Sequence, residues 1–237
     1  LCGYGARKVL KPQITRNIPN VENFLRHCQR KDYKAKSVIL KQGEASDSLL
    51  LILDGSVSVM VEDETSPSQG HMMVVTYLNP GDFVGEMGLF EDEDAVRSAM
   101  VVARSPSEIA EISYVQFRKL VQEDPEILFL LSGQIFDRLI KTSQKVRDLI
   151  FLDVSGRIAR TLLELSKEPD AMTHPDGMQI KITRQEIAKI VGCSREMAGR
   201  VLKVLEEQGL VSASGKTIVV YNARRDPPRP QPRQQQQ

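Results

Sequence analysis

The chain has 237 residues, 41% hydrophobic and 27% charged, a composition ordinary for a globular protein of one large or two small domains. No stretch approaches the ~18 consecutive apolar residues of a membrane span, and the start, Leu1-Cys-Gly-Tyr-Gly-Ala-Arg-Lys8, lacks the apolar run of a signal peptide, so a cytoplasmic location is expected. The net charge of +1 conceals a division: residues 1–153 hold 18 Lys and Arg against 22 Asp and Glu, whereas residues 154–237 hold 14 against 9, which suits a chain whose C-terminal part alone meets nucleic acid.

Residues 1–20 carry little pattern and are expected to form a loose arm leading to a helix near residues 21–27. From residue 33 to 114, short β-rich runs (37–40, 48–53, 56–62, 72–78, 98–103 and 107–113) alternate with turn signals such as Asp54-Gly55 and Asn79-Pro80-Gly81-Asp82. Runs of this length and spacing predict an antiparallel sandwich or jelly roll rather than βαβ units. Within them lies Gly85-Glu-Met-Gly-Leu-Phe90, followed by Arg97-Ser98. Glycines flanking a carboxylate admit backbone N–H groups to a ligand, and Arg97 suits bidentate pairing with an anion; phosphate plus sugar hydroxyl is the matching chemistry.

Pro125 opens a long helix in which Leu128, Ser132, Ile135, Leu139, Thr142, Val146 and Leu149 recur four and three apart. This is coiled-coil spacing and predicts a parallel two-fold dimer seam, with the remaining apolar face packed on the β domain. Thr142 and Ser143 place hydroxyls in that line, and a buried hydroxyl needs a partner from a ligand or the second subunit. Residues 151–156 break the helix, with Asp153 or Ser155 available to cap the next one, and residues 157–166 form a further amphipathic helix. A loop is expected over 167–177 and a short strand over 179–182.

Residues 183–202 then read as two short helices meeting at Gly192. Ile187, Ala188 and Val191 supply one apolar face, Gly192 takes φ > 0 without steric cost, and Ser194 caps the second helix. Ala188, four residues before the glycine, allows the close crossing of a helix-turn-helix. Arg195, Glu196 and Arg200 point outward, and their side chains match guanine O6/N7 and cytosine N4. Runs at 210–213 and 217–221 make a hairpin or wing, whose Lys216 is a natural phosphate contact. From residue 222 the Arg/Pro/Gln tail has too little apolar surface to fold.

Cys2, Cys28 and Cys193 are odd in number and far apart, and His27, His71 and His174 are equally scattered, so no disulfide framework, zinc or iron-sulfur site is indicated. No nucleophile-base arrangement is visible, and an enzyme is not expected.

Taken together, Gly85-Glu-Met-Gly-Leu-Phe90, Arg97-Ser98, Ala110-Glu-Ile-Ser-Tyr114, Thr142-Ser143, Phe151-Leu-Asp-Val154, residues 171–187 and Val191-Gly-Cys-Ser-Arg-Glu196 closely resemble the bacterial cyclic-AMP receptor protein family over about residues 21–221. The resemblance implies an α+β chain with a jelly-roll cyclic-nucleotide-binding domain (21–124), a dimerisation helix (125–150), a hinge (151–154) and a winged helix-turn-helix domain (155–221). It implies a homodimeric transcription regulator gated by cyclic AMP, an allosteric ligand rather than a cofactor, and bound to palindromic operators. The ligand set is Gly85, Glu86 on the ribose hydroxyl, Arg97 and Ser98 on the phosphate, and Thr142 with the partner's Ser143 on the adenine. Arg195, Glu196 and Arg200 would read bases, Thr183, Arg184, Ser194 and Lys216 would hold phosphates, and Thr173 and His174 would touch RNA polymerase.

The sequence also departs from that pattern. The 91–96 loop is one residue longer, the 65–70 hairpin is longer, the tail is additional, and Gln29, Lys31 and Gln116 differ from the family's usual second polymerase contact. Some relatives respond to cyclic di-GMP, which the altered loop keeps as an alternative, as is a ligand-independent DNA binder; a regulatory subunit of an enzyme would leave the helix-turn-helix idle. Retention of Arg97-Ser98 with Thr142-Ser143 favours cyclic AMP.

Overall fold

The computed structural model describes residues 21–62, 72–91 and 95–224, so the expectations for the 1–20 arm, the 65–70 hairpin, the middle of the 91–96 loop and the tail beyond 224 lie outside the described residues. The chain divides into two compact units, Leu1–Val146 and Arg147–Gln237.

Among the described residues of the first unit, α1 (Val21–Arg26) leads into eight strands: β1 (Gln29–Tyr33), β2 (Val38–Leu40), β3 (Ser48–Asp54), β4 (Val57–Glu62), β5 (Met72–Leu78), β6 (Phe83–Val84), β7 (Met100–Ala103) and β8 (Ser107–Ser113). They form two antiparallel four-stranded sheets, ordered β1-β8-β3-β6 and β2-β7-β4-β5, as the predicted sandwich requires. Strand β3, Ser-Leu-Leu-Leu-Ile-Leu-Asp, lies between two cores, which explains its unbroken apolar run. Because side chains alternate along a strand, Leu49, Leu51 and Leu53 face the cluster built with α1, while Leu50 and Ile52 face Val57, Leu78 and Val101 of the other sheet.

Helix α2 (Tyr114–Glu123) follows β8 directly, its start fixed by Ser113, whose hydroxyl accepts from Gln116 N. Helix α3 then runs Glu126–Phe151. Its Ile127 and Leu131 complete the first core, with Leu130 and Ile135 packed against it, so one face serves the β domain; Ile135, expected in the seam, lies on that face, whereas the further apolar residues Phe136, Ile140 and Ile150 are exposed. Its expected seam residues Leu139, Val146 and Leu149 are 61%, 53% and 56% exposed.

Three strands were not expected. Strand β1 is Gln-Arg-Lys-Asp-Tyr with four exposed residues, so it carries no apolar alternation and is a strand only by pairing with β8, helped by the Arg30–Glu108 and Lys31–Glu111 ion pairs. Strand β6 has two residues, too few for a periodic signal. The loop expected over 167–177 instead contains β9 (Met172–His174), an edge strand against β10 (Gly177–Lys181).

The second unit contains α4 (Val154–Leu165), β9, β10, α5 (Arg184–Val191), α6 (Arg195–Glu207), β11 (Val211–Ser214) and β12 (Thr217–Tyr221). Asp153 rather than Ser155 caps α4, accepting from Gly156 N at 2.8 Å. The sheet order is β11-β12-β10-β9, and Ile158, Leu162, Ile187, Ala198 and Leu202 are among its buried side chains.

Candidate functional site

After β6 the chain turns at Gly85 (φ +81°) into a short 3-10 turn, Met87–Leu89, with Glu86 at its start. Both glycines have a steric reason other than ligand approach. A Cβ on Gly85 would stand 2.6 Å from Arg97 Nη1, and one on Gly88 would stand 2.3 Å from Ser46 Oγ and 3.0 Å from the Tyr114 hydroxyl. Where ligand approach was expected, these glycines admit side chains of the protein's own network.

The centre of that network is Arg97. Its backbone is pinned to the 41–44 turn, Arg97 N donating to Glu44 O at 2.8 Å and Arg97 O accepting from Gly43 N at 2.8 Å. The guanidinium is buried: Nη1 donates to Ser48 O at 2.9 Å, to the Tyr114 hydroxyl at 3.1 Å and to Gly85 O at 3.3 Å, while Nη2 donates to Ser48 Oγ at 3.0 Å. Asp47, 88% exposed at its side chain, brings a carboxylate oxygen to 3.6 Å of Nη2. Burial pushes the Tyr114 phenol up, against hydrogen bonding with Ser46 and the nearby Arg97 charge. Tyr114 is thus a neutral hydroxyl, donating to Gly85 O and bonded to Ser46 Oγ at 2.7 Å.

Ser48 Oγ also donates to Glu111 at 2.8 Å, and Glu111 pairs with Lys31. Burial raises the Glu111 carboxyl, but the hydrogen bonds from Lys31 and Ser48 outweigh it and hold the group below its ordinary value.

Sequence reasoning missed Arg138. From α3 it donates to Glu86 Oε1 at 2.6 Å, with side-chain exposures of 20% and 13% for the pair. An arginine on an apparently solvated helix face gives little signal, although Arg138 lies one turn before Thr142 on the same face. The structure thus brings Gly85, Glu86, Arg97 and Ser98 together, Ser98 through its contact to Met87 Sδ at 3.1 Å. Thr142 and Ser143 are exposed on α3, and no side-chain hydrogen bond among the described residues ties them to the cluster.

In the second unit, Gly192 adopts the left-handed conformation (φ +71°, ψ +53°), and its N–H and that of Cys193 both bond to Ala188 O. The turn is therefore built as the spacing predicts. Ser194 caps α6 by accepting from Met197 N at 3.1 Å. Thr183 forms a capping box with Glu186: its hydroxyl accepts from Glu186 N at 3.2 Å and its N–H donates to Glu186 at 2.7 Å. Both expected phosphate contacts thus also fix helix starts, leaving N–H groups at a positive helix end.

Arg195, Glu196 and Arg200 are exposed on the first turns of α6. Arg184, Glu196, Gly199, Arg200 and Lys203 line a cleft of about 480 Å³. Lys216 is exposed at the tip between β11 and β12, where its carbonyl accepts from Ile182 N at 2.9 Å. On another edge, Thr173 and His174 lie on β9, where His174 Nδ1 accepts from Asp176 N at 3.3 Å. No group of His, Cys, Asp and Glu among the described residues could hold a metal ion, and no described helix is long and apolar enough to cross a membrane.

Residues 30–124 match the family model of the cyclic nucleotide-binding domain, and residues 156–225 match that of the Crp-like helix-turn-helix domain. The chain is 57% identical over 212 residues to the cAMP-activated global transcriptional regulator Vfr of Pseudomonas aeruginosa, covering 89% of this chain and 97% of that relative. It is 58% identical over 214 residues to the cAMP-activated global transcriptional regulator CRP of Salmonella typhimurium, covering 90% and 98%. Among solved structures, the c-di-GMP responsive global regulator CLP of Xanthomonas campestris superposes with a TM-score of 0.79 at 43% identity, over 85% of this chain and 98% of that one.

Proposed function

The chain belongs to the Crp family of cyclic-nucleotide-gated, helix-turn-helix transcription regulators, which are not enzymes, and from that premise we propose that cyclic AMP is its ligand, bound at the Glu86–Arg97 cluster of a homodimer. One observation carries the ligand assignment: the Glu86 carboxylate, held by Arg138, is next in sequence to Gly85, whose carbonyl accepts from the second, buried guanidinium, that of Arg97. Glu86 accepts from the ribose hydroxyl, and Arg97 with Ser98 meets the cyclic phosphate, displacing the loosely held Asp47 carboxylate. The relatives named as cAMP-activated support that choice.

The subunits associate along α3, where Leu139, Val146 and Leu149 leave apolar surface open and Thr142 and Ser143 meet the adenine across the two-fold. Residues 151–154 act as the hinge between the nucleotide-binding part and the 155–221 reading domain. The ligand shifts DNA affinity by its differential affinity for the two arrangements. Arg195, Glu196 and Arg200 read bases; Thr183, Arg184, Ser194 and Lys216 hold phosphates; Thr173 and His174 present the surface for RNA polymerase.

The second reading, cyclic di-GMP at the same pocket, is favoured by the likeness to the Xanthomonas regulator. Calorimetry with cyclic AMP, cyclic GMP and cyclic di-GMP on the full chain separates the two. Cyclic AMP is expected to bind tightest and to lose affinity in Arg97→Leu. An unchanged titration in that variant refutes the pocket, and preference for cyclic di-GMP replaces the ligand.

A further inference from the structure

Strand β6 forms the edge of its sheet, paired on one side with β3 through Leu50↔Val84 and Leu51↔Phe83. An edge strand leaves one row of backbone groups open, and these need partners when buried. Here helix α3 supplies them. The Gln134 amide works as a substitute strand: its Oε1 accepts from Phe83 N at 2.9 Å and its Nε2 donates to Gly81 O at 2.8 Å. One turn later, Arg138 donates to Phe83 O and to Glu86 at 2.6 Å. Both outward backbone groups of Phe83 are thus held by two side chains of one helix. The Phe83 ring is fixed on the other side, fully buried and edge-on to Phe24 at 5.6 Å.

Glu86 is only three residues beyond Phe83, so fixing Phe83 on α3 fixes where the carboxylate meets Arg138. We propose that Gln134 is a positioning residue for the nucleotide site: its amide clasp on β6 holds Glu86 in register with Arg138 and thereby sets recognition of the ribose hydroxyl. The idea rests on the reading that the nucleotide binds at Glu86. Only an amide of this length satisfies the site, because it must accept from an N–H and donate to a C=O at once. A carboxylate at 134 would face the Gly81 carbonyl, and it would stand near Arg138, whose Nη2 already lies 3.5 Å from Gln134 Oε1. It would then compete with Glu86 for the guanidinium.

The test measures binding of cyclic AMP and 2′-deoxy cyclic AMP by calorimetry on the full chain, in wild type, Gln134→Met, Gln134→Glu and Arg97→Leu. The wild type is expected to prefer cyclic AMP by on the order of tenfold or more, the worth of a hydrogen bond to a charged acceptor. Gln134→Met, similar in length but without the amide, loses cyclic AMP affinity and part of that preference. Gln134→Glu brings the ratio towards one. A purely structural role would weaken both nucleotides alike, so an unchanged ratio in both variants overturns the proposal, as does wild-type binding in both. Wild-type cyclic AMP binding by Arg97→Leu would instead remove the pocket reading itself and the proposal with it, an outcome visible without either Gln134 variant.

Discussion

Gly85 stands so close to Arg97 that a side-chain carbon on it would come within 2.6 Å of the guanidinium Nη1 and 3.0 Å of Ser48 O. Its left-handed φ of +81° adds about 1–2 kcal/mol of strain for any other residue. Gly85→Ala is therefore expected to push Arg97 out of its buried seat and lower cyclic AMP affinity at least tenfold, roughly the 1.4 kcal/mol equivalent. Calorimetry reads this directly, and unchanged affinity would mean that Arg97 does not serve the ligand from this position.

Asp47 competes with an incoming phosphate for Arg97. Its side chain is largely exposed and its oxygen is 3.6 Å from Nη2, so the pair is weak. Asp47→Asn should tighten cyclic AMP by about 1.4- to fivefold, following the ~0.2–1 kcal/mol of exposed pairs. Weaker binding in the variant would instead make Asp47 a support for Arg97.

Glu111 connects stability to pH. Its folded value is lowered, because the Lys31 and Ser48 hydrogen bonds outweigh burial, so its stabilisation is present above the ordinary value of 4.5 and is lost as pH falls through the folded value. Thermal unfolding of Glu111→Gln should show a deficit of up to about 1 kcal/mol near neutrality that closes in acid below 4.5. A deficit that persists undiminished in acid would assign it to packing.

Arg195 and Ser194 should separate base reading from phosphate holding. Replacing Arg195 by Ala should cost roughly 1–3 kcal/mol and relax preference at one position per half-site. Ser194→Ala removes the α6 cap, worth ~1 kcal/mol, and should weaken every operator equally. Competition against single-base operator variants checks both, and an equal loss for Arg195→Ala would make it a phosphate contact.

What the sequence made legible follows its periodicities. The buried β3 run, the apolar face of α3 and the Ala188–Gly192 turn all produce local patterns that tertiary structure merely satisfies. Ser113-x-x-Gln116 is a readable start signal for α2, a helix that was not among the expected elements. Strands β1 and β6 were not legible, since one is charged and the other two residues long; partners distant in sequence make them strands. The motif residues of the candidate site carry a local signal, whereas the part that depends on contact between elements does not: Arg138 reaches Glu86 across 52 residues. The structure gives the two glycines a different reason from the expected one, because the groups that fill their open sides, Arg97 and the Ser46–Tyr114 pair, come from elsewhere in the chain.

The central claim is that nucleotide occupancy at Glu86 and Arg97 governs sequence-specific DNA binding. Titrating the full chain onto a two-fold symmetric operator selected from random DNA, at fixed salt, with and without saturating cyclic AMP, tests it most directly. Cyclic AMP is expected to tighten specific binding by about 5- to 150-fold, the usual range of allosteric coupling, and Arg97→Leu should abolish the difference. Equal operator affinity with and without nucleotide would contradict the account.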